Sequence, residues 1–165
     1  MASKDPAQMM ENRTAKLALI GLFVGSMATY AVGAARRHEQ FDVKPFDLLL
    51  LGLASFRTGR MLAYERVAAP LRAAVTETRP DASGYGETVV AKGTGAREAV
   101  GELFSCPICV ATWASAGMVY GLHFAPVPTR LLMTTLGATG VAEIVLSATE
   151  ALSWLGRAAR KQCGG

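Results

Sequence analysis

Two cysteines that flank a proline are the residues whose types and spacing best suit chemistry in this chain. Cys106, Pro107 and Cys109 form a Cys-Pro-x-Cys motif at the start of an apolar run. Proline lacks an N–H and is therefore favoured in the first turn of a helix, where residues three apart share a face. A thiol in that turn lies at the positive end of the helix dipole, which favours the thiolate that attacks disulfides and binds metals.

Three interpretations of this thiol pair follow. In the first, Cys106 and Cys109 are small apolar side chains packed inside a structural or accessory subunit of a membrane assembly, as buried free cysteine commonly is. In the second, the pair alternates between dithiol and disulfide, and the protein is a membrane thiol redox protein. In the third, the pair binds zinc or iron, and Cys163 or a second subunit supplies further ligands, because two ligands do not complete a tetrahedral site. The structural interpretation ranks first and predicts no cofactor.

The remaining sequence offers no catalytic pattern. It holds no Ser–His–Asp set and no paired carboxylates in register, either of which would indicate a hydrolase. The glycine-rich stretch 84–95 lacks the Gly-Lys-Ser/Thr of a phosphate-binding loop. We therefore identify no catalytic residue, and the sequence favours a protein that is not an enzyme while leaving the question open.

Charged residues inside or beside apolar segments form a second group of candidates. Arg57 and Arg60 are three residues apart and share a helix face, Glu143 lies near the middle of the last apolar segment, and Glu102 precedes the thiols. Charges inside a bilayer are costly and usually face protein or water. We predict that Arg57 or Arg60 pairs with Glu143 within an intramembrane charge network. The alternative is that both arginines extend to lipid headgroups.

The composition predicts the elements that must position these residues. Hydrophobic residues make up 51% of the 165 residues and charged residues only 18%, against roughly 25% charged in soluble domains. The apolar residues are gathered in four blocks of about the length that a membrane helix needs. These blocks are residues 15–35, 46–64, 103–124 and 130–155. The predicted fold is an all-α integral membrane bundle of four transmembrane helices.

The chain divides into three predicted parts. Residues 1–44 hold an N-terminal transmembrane helix and a link, residues 45–155 hold three membrane helices and a cytoplasmic loop at 66–97, and residues 156–165 form a basic tail. Within this loop we predict a short surface helix at 67–75 and a short strand at 87–91. Residues 15–35 could instead be a cleaved signal peptide, although the apolar run is long for one. Residues 46–64 could instead be re-entrant, although this would leave backbone groups unsatisfied in lipid.

The basic residues predict how the helices are oriented. With the N-terminus inside, the inner side holds Lys4, Arg13, Lys16, Arg66, Arg72, Arg79, Lys92, Arg97, Arg157, Arg160 and Lys161, and the outer side holds Arg36, Arg37, Lys44 and Arg130. This asymmetry follows the positive-inside rule and puts both termini in the cytoplasm. The predicted partners are the lipid bilayer and either a membrane-protein partner or further copies of the chain. The net charge of +4 is modest, and the basic residues flank the apolar blocks. Nucleic acid is therefore not expected as a partner.

Several short sequence motifs between residues 45 and 154 match, in order, those of a known protein family. They are Leu51-Gly52-Leu53-Ala54-Ser55-Phe56-Arg57 through Arg60, Ala69-Pro70-Leu71-Arg72-Ala73, Gly93-Thr94-Gly95-Ala96-Arg97 running into Gly101-Glu102-Leu103, Cys106-Pro107-Ile108-Cys109 with Trp113, and Ala125-Pro126 with Thr129-Arg130. This part of the chain resembles a bacterial membrane-protein family known as domain of unknown function 1360.

The resemblance implies a location and no established activity. It implies the inner (cytoplasmic) membrane of a bacterium, and it makes the helix before Pro45 an addition to the family core. The chain departs from the pattern at two positions: the family often has Phe where this chain has Ile108, and often has Asp where this chain has Glu143. The second departure retains the negative charge.

Overall fold

The computed structural model describes residues 6–36, 44–81 and 87–163. Its helices are α1 (Pro6–Arg36), α2 (Pro45–Tyr64), α3 (Ala69–Arg72), α4 (Gly95–Ser105), α5 (Pro107–Phe124) and α6 (Pro126–Cys163), with a 3₁₀ turn at Arg66–Ala68. Two strands, β1 (Thr76–Pro80) and β2 (Glu87–Ala91), pair antiparallel. Features predicted on residues 1–5, 37–43 and 82–86, which include Lys4 and Arg37, lie outside the described residues, as does the side chain of Cys163.

The chain is mostly helical, but the all-α prediction needs a correction because a β-hairpin joins α3 to α4. The strand predicted at 87–91 is present, with Thr76 opposite Ala91 and Pro80 opposite Glu87. Its partner β1 falls in a stretch that composition alone assigned to loop. Residues 156–163 continue α6. Alanine and arginine in this stretch are strong helix formers.

Helix α2 is the centre of the bundle and lies between α5 and α6. Its apolar core joins Leu51 and Ala54 to Met118 of α5 and to Met133 of α6, which is fully buried. Small residues bring the helices together. A Cβ at Gly140 of α6 would lie 3.0 Å from the backbone oxygen of Leu53. Close backbone approach of this kind is typical of helix pairs in membranes.

Paired contacts give the directions of the helices. Arg130 and Glu143 of α6 contact Asp47 and Arg57 of α2 in the same order, so α6 and α2 run parallel. Phe23 and Tyr30 of α1 contact Trp113 and Tyr120 of α5 in the same order, so α1 and α5 also run parallel.

Helix α5 runs antiparallel to both α2 and α6. It turns directly into α6 at Ala125, and its first turn lies against Gly59 in the second half of α2. The start of α1, the β-hairpin and the end of α6 therefore lie at one end of the bundle, which we call the hairpin end.

Within the described residues, two helices are long and apolar enough to cross a membrane by themselves. These are α1 and the Pro126–Ala158 part of α6, and α4 with α5 would make a third span if this pair, bent by 90°, is counted as one. Helix α2 carries Asp47, Arg57 and Arg60 within 20 residues, which explains why apolarity alone does not identify it as a span. The structure thus supports two or three of the four predicted spans on this criterion.

A buried arginine ties the hairpin end to α2. Arg72 is only 4% exposed, and its guanidinium donates hydrogen bonds to the backbone oxygens of Leu62, Tyr64 and Glu65 at 3.1, 3.4 and 2.8 Å. The last carbonyl groups of a helix lack partners within the helix and lie at its negative end. Arg72 therefore caps α2, a role that its assignment as a surface charge did not anticipate.

Candidate functional site

The thiol motif forms the junction between two helices. Helix α4 ends at Ser105, Cys106 adopts an extended conformation, and α5 begins at Pro107. Proline disfavours the helical conformation in the residue before it, so the break falls on Cys106. Cys106 is the N-cap of α5, and its Sγ accepts a hydrogen bond from the backbone N–H of Cys109 at 3.3 Å. The hydroxyl of Ser105, the last residue of α4, donates to the backbone oxygen of Gly101 at 2.6 Å.

The bend of 90° between α4 and α5 is supported by the hairpin. Gly93 and Gly95 have φ values of 94° and 59°, which other residues rarely adopt, and they turn the chain from β2 into α4. Gly101 of α4 lies so close to the backbone of Val75 and Ala91 that a side chain there would collide with both. Helix α4 therefore lies across the hairpin end, and Cys106 is fixed at its corner.

Both thiols line a groove between α1 and the α4–α5 corner. The backbone N–H of Cys109 contacts Cys106 Sγ, and Cys106 is half-buried whereas Cys109 is exposed. The groove has a volume of about 550 Å³, and its other walls are mostly apolar. Within it, the rings of Phe23 and Trp113 meet edge to face, with 5.1 Å between their centroids. Both thiols of the pair thus line this groove.

An ion pair lies at the hairpin end of this groove. Lys16 Nζ of α1 lies 2.5 Å from Glu102 Oε2 of α4, and both side chains line the groove. The sequence grouped Glu102 with Arg57, Arg60 and Glu143. The structure instead pairs Glu102 with Lys16, because the bend after α4 turns it towards α1.

The other three predicted charges come together between α2 and α6. Arg60 Nε lies 2.5 Å from Glu143 Oε1, and Arg57 Nη1 lies 3.4 Å from Glu143 Oε2. Arg57 also forms an ion pair with Glu65, which follows the last residue of α2. The side chains of Arg57 and Glu143 are 19% and 20% exposed. We call Arg57, Arg60, Glu65 and Glu143 the charge cluster; Glu65 was not predicted, because its reach depends on how α2 ends.

The two thiols are the candidate metal ligands that the sequence proposed. Among those residues, no three His, Cys, Asp or Glu side chains come together as a metal site would require. A tetrahedral zinc or iron centre on Cys106 and Cys109 would need at least two ligands from elsewhere.

Comparison with known proteins identifies the family. The family model described as "Protein of unknown function (DUF1360)" matches residues 50–149. The chain belongs to the DUF1360 family. The resemblance noted in the sequence is thus confirmed, and the matched DUF1360 region includes both thiols and the whole charge cluster, while α1 lies outside it.

A curated relative supports the same assignment. The sporulation protein YjcA of Bacillus subtilis (strain 168) is 36% identical over 106 residues, which cover 62% of this chain and 90% of the relative. Only a tenth of the relative lies outside the match, which leaves little room for a helix of the length of α1. No solved structure shows significant similarity to the chain.

Proposed function

We propose that this DUF1360 protein crosses the inner membrane of a bacterium four times, with α1, α2, α5 and α6 as its spans. The observation that supports a crossing by α2 is its parallel course beside α6. Contacts join the two helices from the Asp47–Arg130 pair, at 3.3 Å, to the Arg60–Glu143 pair. A helix that follows a membrane-crossing helix over this distance crosses the bilayer with it.

The length of α2 and the pairing of its charges support this role. Its 20 residues give a length of about 30 Å, the thickness of the hydrocarbon core. Arg57 lies ten residues after Asp47, or about 15 Å deeper along the helix axis, near the bilayer centre. Each of the three charged residues of α2 has an ion-pair partner, which lowers the cost of placing charge in lipid.

The charge distribution supports a cytoplasmic location for the hairpin end. This end includes Arg66, Arg79, Lys92 and Arg97 around the hairpin and α4, whereas Arg130 lies at the opposite end beside Asp47. Cytoplasmic segments are enriched in such residues. Both termini are then cytoplasmic, because α1 begins and α6 ends at the hairpin end.

We further propose that the protein is a structural or accessory subunit of a membrane assembly. Its supporting observation is the second half of α6, where every residue from Ile144 to Leu155 is exposed in the described chain. Val145, Leu152 and Trp154 are more than half exposed. Apolar surface on this scale indicates contact with lipid, with another protein or with a second copy. Such a role agrees with the sporulation function that the name of the Bacillus subtilis relative states for that protein.

Site-specific photo-crosslinking in cells tests the accessory role. A photoreactive amino acid is introduced singly at each position from 144 to 155. We expect protein adducts of one defined mass, either a dimer of this chain or a complex with one partner, at positions that repeat every three to four residues. Positions on the opposite helix face serve as matched controls. If no position gives an adduct, α6 faces only lipid and the accessory role is wrong.

Thiol redox chemistry is a second candidate function, and the exposure of the thiols favours it. Cys109 is exposed, both sulfurs line one groove, and the backbone N–H of Cys109 donates to the sulfur of Cys106. Reactive cysteines occupy partly exposed sites at helix N-termini, whereas structural cysteines are buried and inert.

A further inference from the structure

The groove beside the thiols has a composition that suits one kind of reactant. Apart from Lys16, Glu102 and the thiols, its walls include Leu19, Ile20, Phe23, Leu103 and Trp113. It extends from the Lys16–Glu102 pair at the hairpin end towards Phe23, seven residues or about 10 Å further along α1. In the proposed topology, the groove therefore enters the bilayer from its inner surface.

We propose that this groove binds the ring of a membrane quinone, which the Cys106–Cys109 dithiol reduces. This inference rests on the proposed thiol redox function and names its oxidant. A water-soluble oxidant would not partition into an apolar groove at membrane depth, whereas a quinone with an isoprenoid chain dissolves in lipid. The rings of Phe23 and Trp113 offer aromatic faces and edges against which a flat ring can pack.

The chemistry balances as a transfer of two electrons and two protons. The sulfur of Cys106 accepts a hydrogen bond from the backbone N–H of Cys109. As a thiolate, it adds to a ring carbon of the quinone and forms a C–S bond. Cys109 then loses its proton and attacks the sulfur of Cys106. The S–S bond forms, the C–S bond breaks, and its electron pair returns to the ring. The two thiol protons end on the two ring oxygens, so that dithiol and quinone become disulfide and hydroquinone.

The cysteines can form this disulfide without a change of fold. They are three residues apart, the backbone N–H of Cys109 contacts the sulfur of Cys106, and Cys106 lies outside the regular part of α5. Residues at this separation in a first helical turn are within the Cα distance that a disulfide accepts.

The test uses the full chain in phospholipid nanodiscs, with ubiquinone-1 as the probe. Trp154→Phe leaves Trp113 as the sole tryptophan, because the chain has two. We expect saturable quenching of Trp113 fluorescence by ubiquinone-1, and quenching that persists in the Cys106→Ser, Cys109→Ser double variant. Phe23→Leu should weaken the apparent affinity several-fold. This readout reports binding without any redox step.

Oxidation is measured separately as the loss of two hydrogens from the protein mass with the formation of one hydroquinone. Either single cysteine variant should abolish it, and Cys163→Ser, the matched control, should not. Oxidation of the pair by diamide but not by ubiquinone-1, without quenching, would overturn the quinone site and leave the thiol redox function standing. If neither oxidant forms the disulfide in folded protein, both proposals are wrong.

Discussion

Gly59→Ala is expected to destabilise the bundle, although alanine is the better helix former. A Cβ at Gly59 would collide with the backbone oxygen of Pro107 and would lie 2.9 Å from the Cβ of Ala111. Neither group can move alone, since Pro107 begins α5 and follows the thiol corner. The overpacking cost of about 1–3 kcal/mol should exceed the gain in helix propensity of up to about 1 kcal/mol. Unfolding in detergent, followed by circular dichroism, measures the change, and Gly59→Leu should prevent folding.

Gly52→Ala is the matched control for this experiment. Gly52 lies in the same helix, and a Cβ there meets no atom of the described chain within 4 Å. The same chemical change should therefore raise the free energy of unfolding by up to about 1 kcal/mol. Opposite signs at the two positions would support close packing of α2 against α5. Equal effects would contradict it.

Glu143→Ala is expected to give the second large effect. It removes a carboxylate that contacts both Arg57 and Arg60, and it leaves Arg60 without its ion-pair partner beside the membrane interior. Removing one member of a buried ion pair costs about 3–5 kcal/mol. We expect a loss below that range, because the Arg60 side chain is 47% exposed and Arg57 retains Glu65. The free energy of unfolding in detergent is the measurement.

A double-mutant cycle shows whether this cost arises from the pairing. The combined variant Arg60→Ala, Glu143→Ala should lose less stability than the sum of the two single changes, since it leaves no unpaired partner between them. Glu150→Ala is the matched control, because Glu150 is exposed on the same helix and its removal should change stability by less than about 0.5 kcal/mol. Strictly additive losses would instead favour arginines that extend to headgroups.

The contact of Arg57 and Arg60 with Glu143 could be predicted from sequence, because it requires only that these residues lie at the same depth in the membrane. Counting residues from the helix ends gives the level of each charge, and a charge in lipid has few alternatives to an opposite charge. Counting residues does not show how a helix is rotated about its own axis, and so does not show which neighbouring helix a side chain faces. The sequence therefore could not show that Glu102, at a similar predicted level, turns towards Lys16 of α1.

Features that depend on tertiary contacts could not be predicted from patterns in the sequence. Strand β1 forms because β2 pairs with it, and its own sequence includes Pro80 and charged residues. The cap that Arg72 provides for α2 depends on the turn that returns α3 to the end of α2. The exposure of Cys109 depends on where α1 lies. Helix α1 is outside the residues that match the family, so the family motifs in the sequence say nothing about its position.

Cysteine labelling of intact cells tests the four-span topology most directly. In a background with Cys106, Cys109 and Cys163 replaced by serine, single cysteines are introduced as Gln40→Cys, in the link between α1 and α2, and Tyr85→Cys, between the hairpin strands. A membrane-impermeant maleimide should label position 40 in intact cells, and position 85 only after permeabilisation, because α2 crosses the bilayer between them. Labelling of position 85 but not of position 40 in intact cells would contradict the orientation. Labelling of both positions from the same side would show that α2 does not cross.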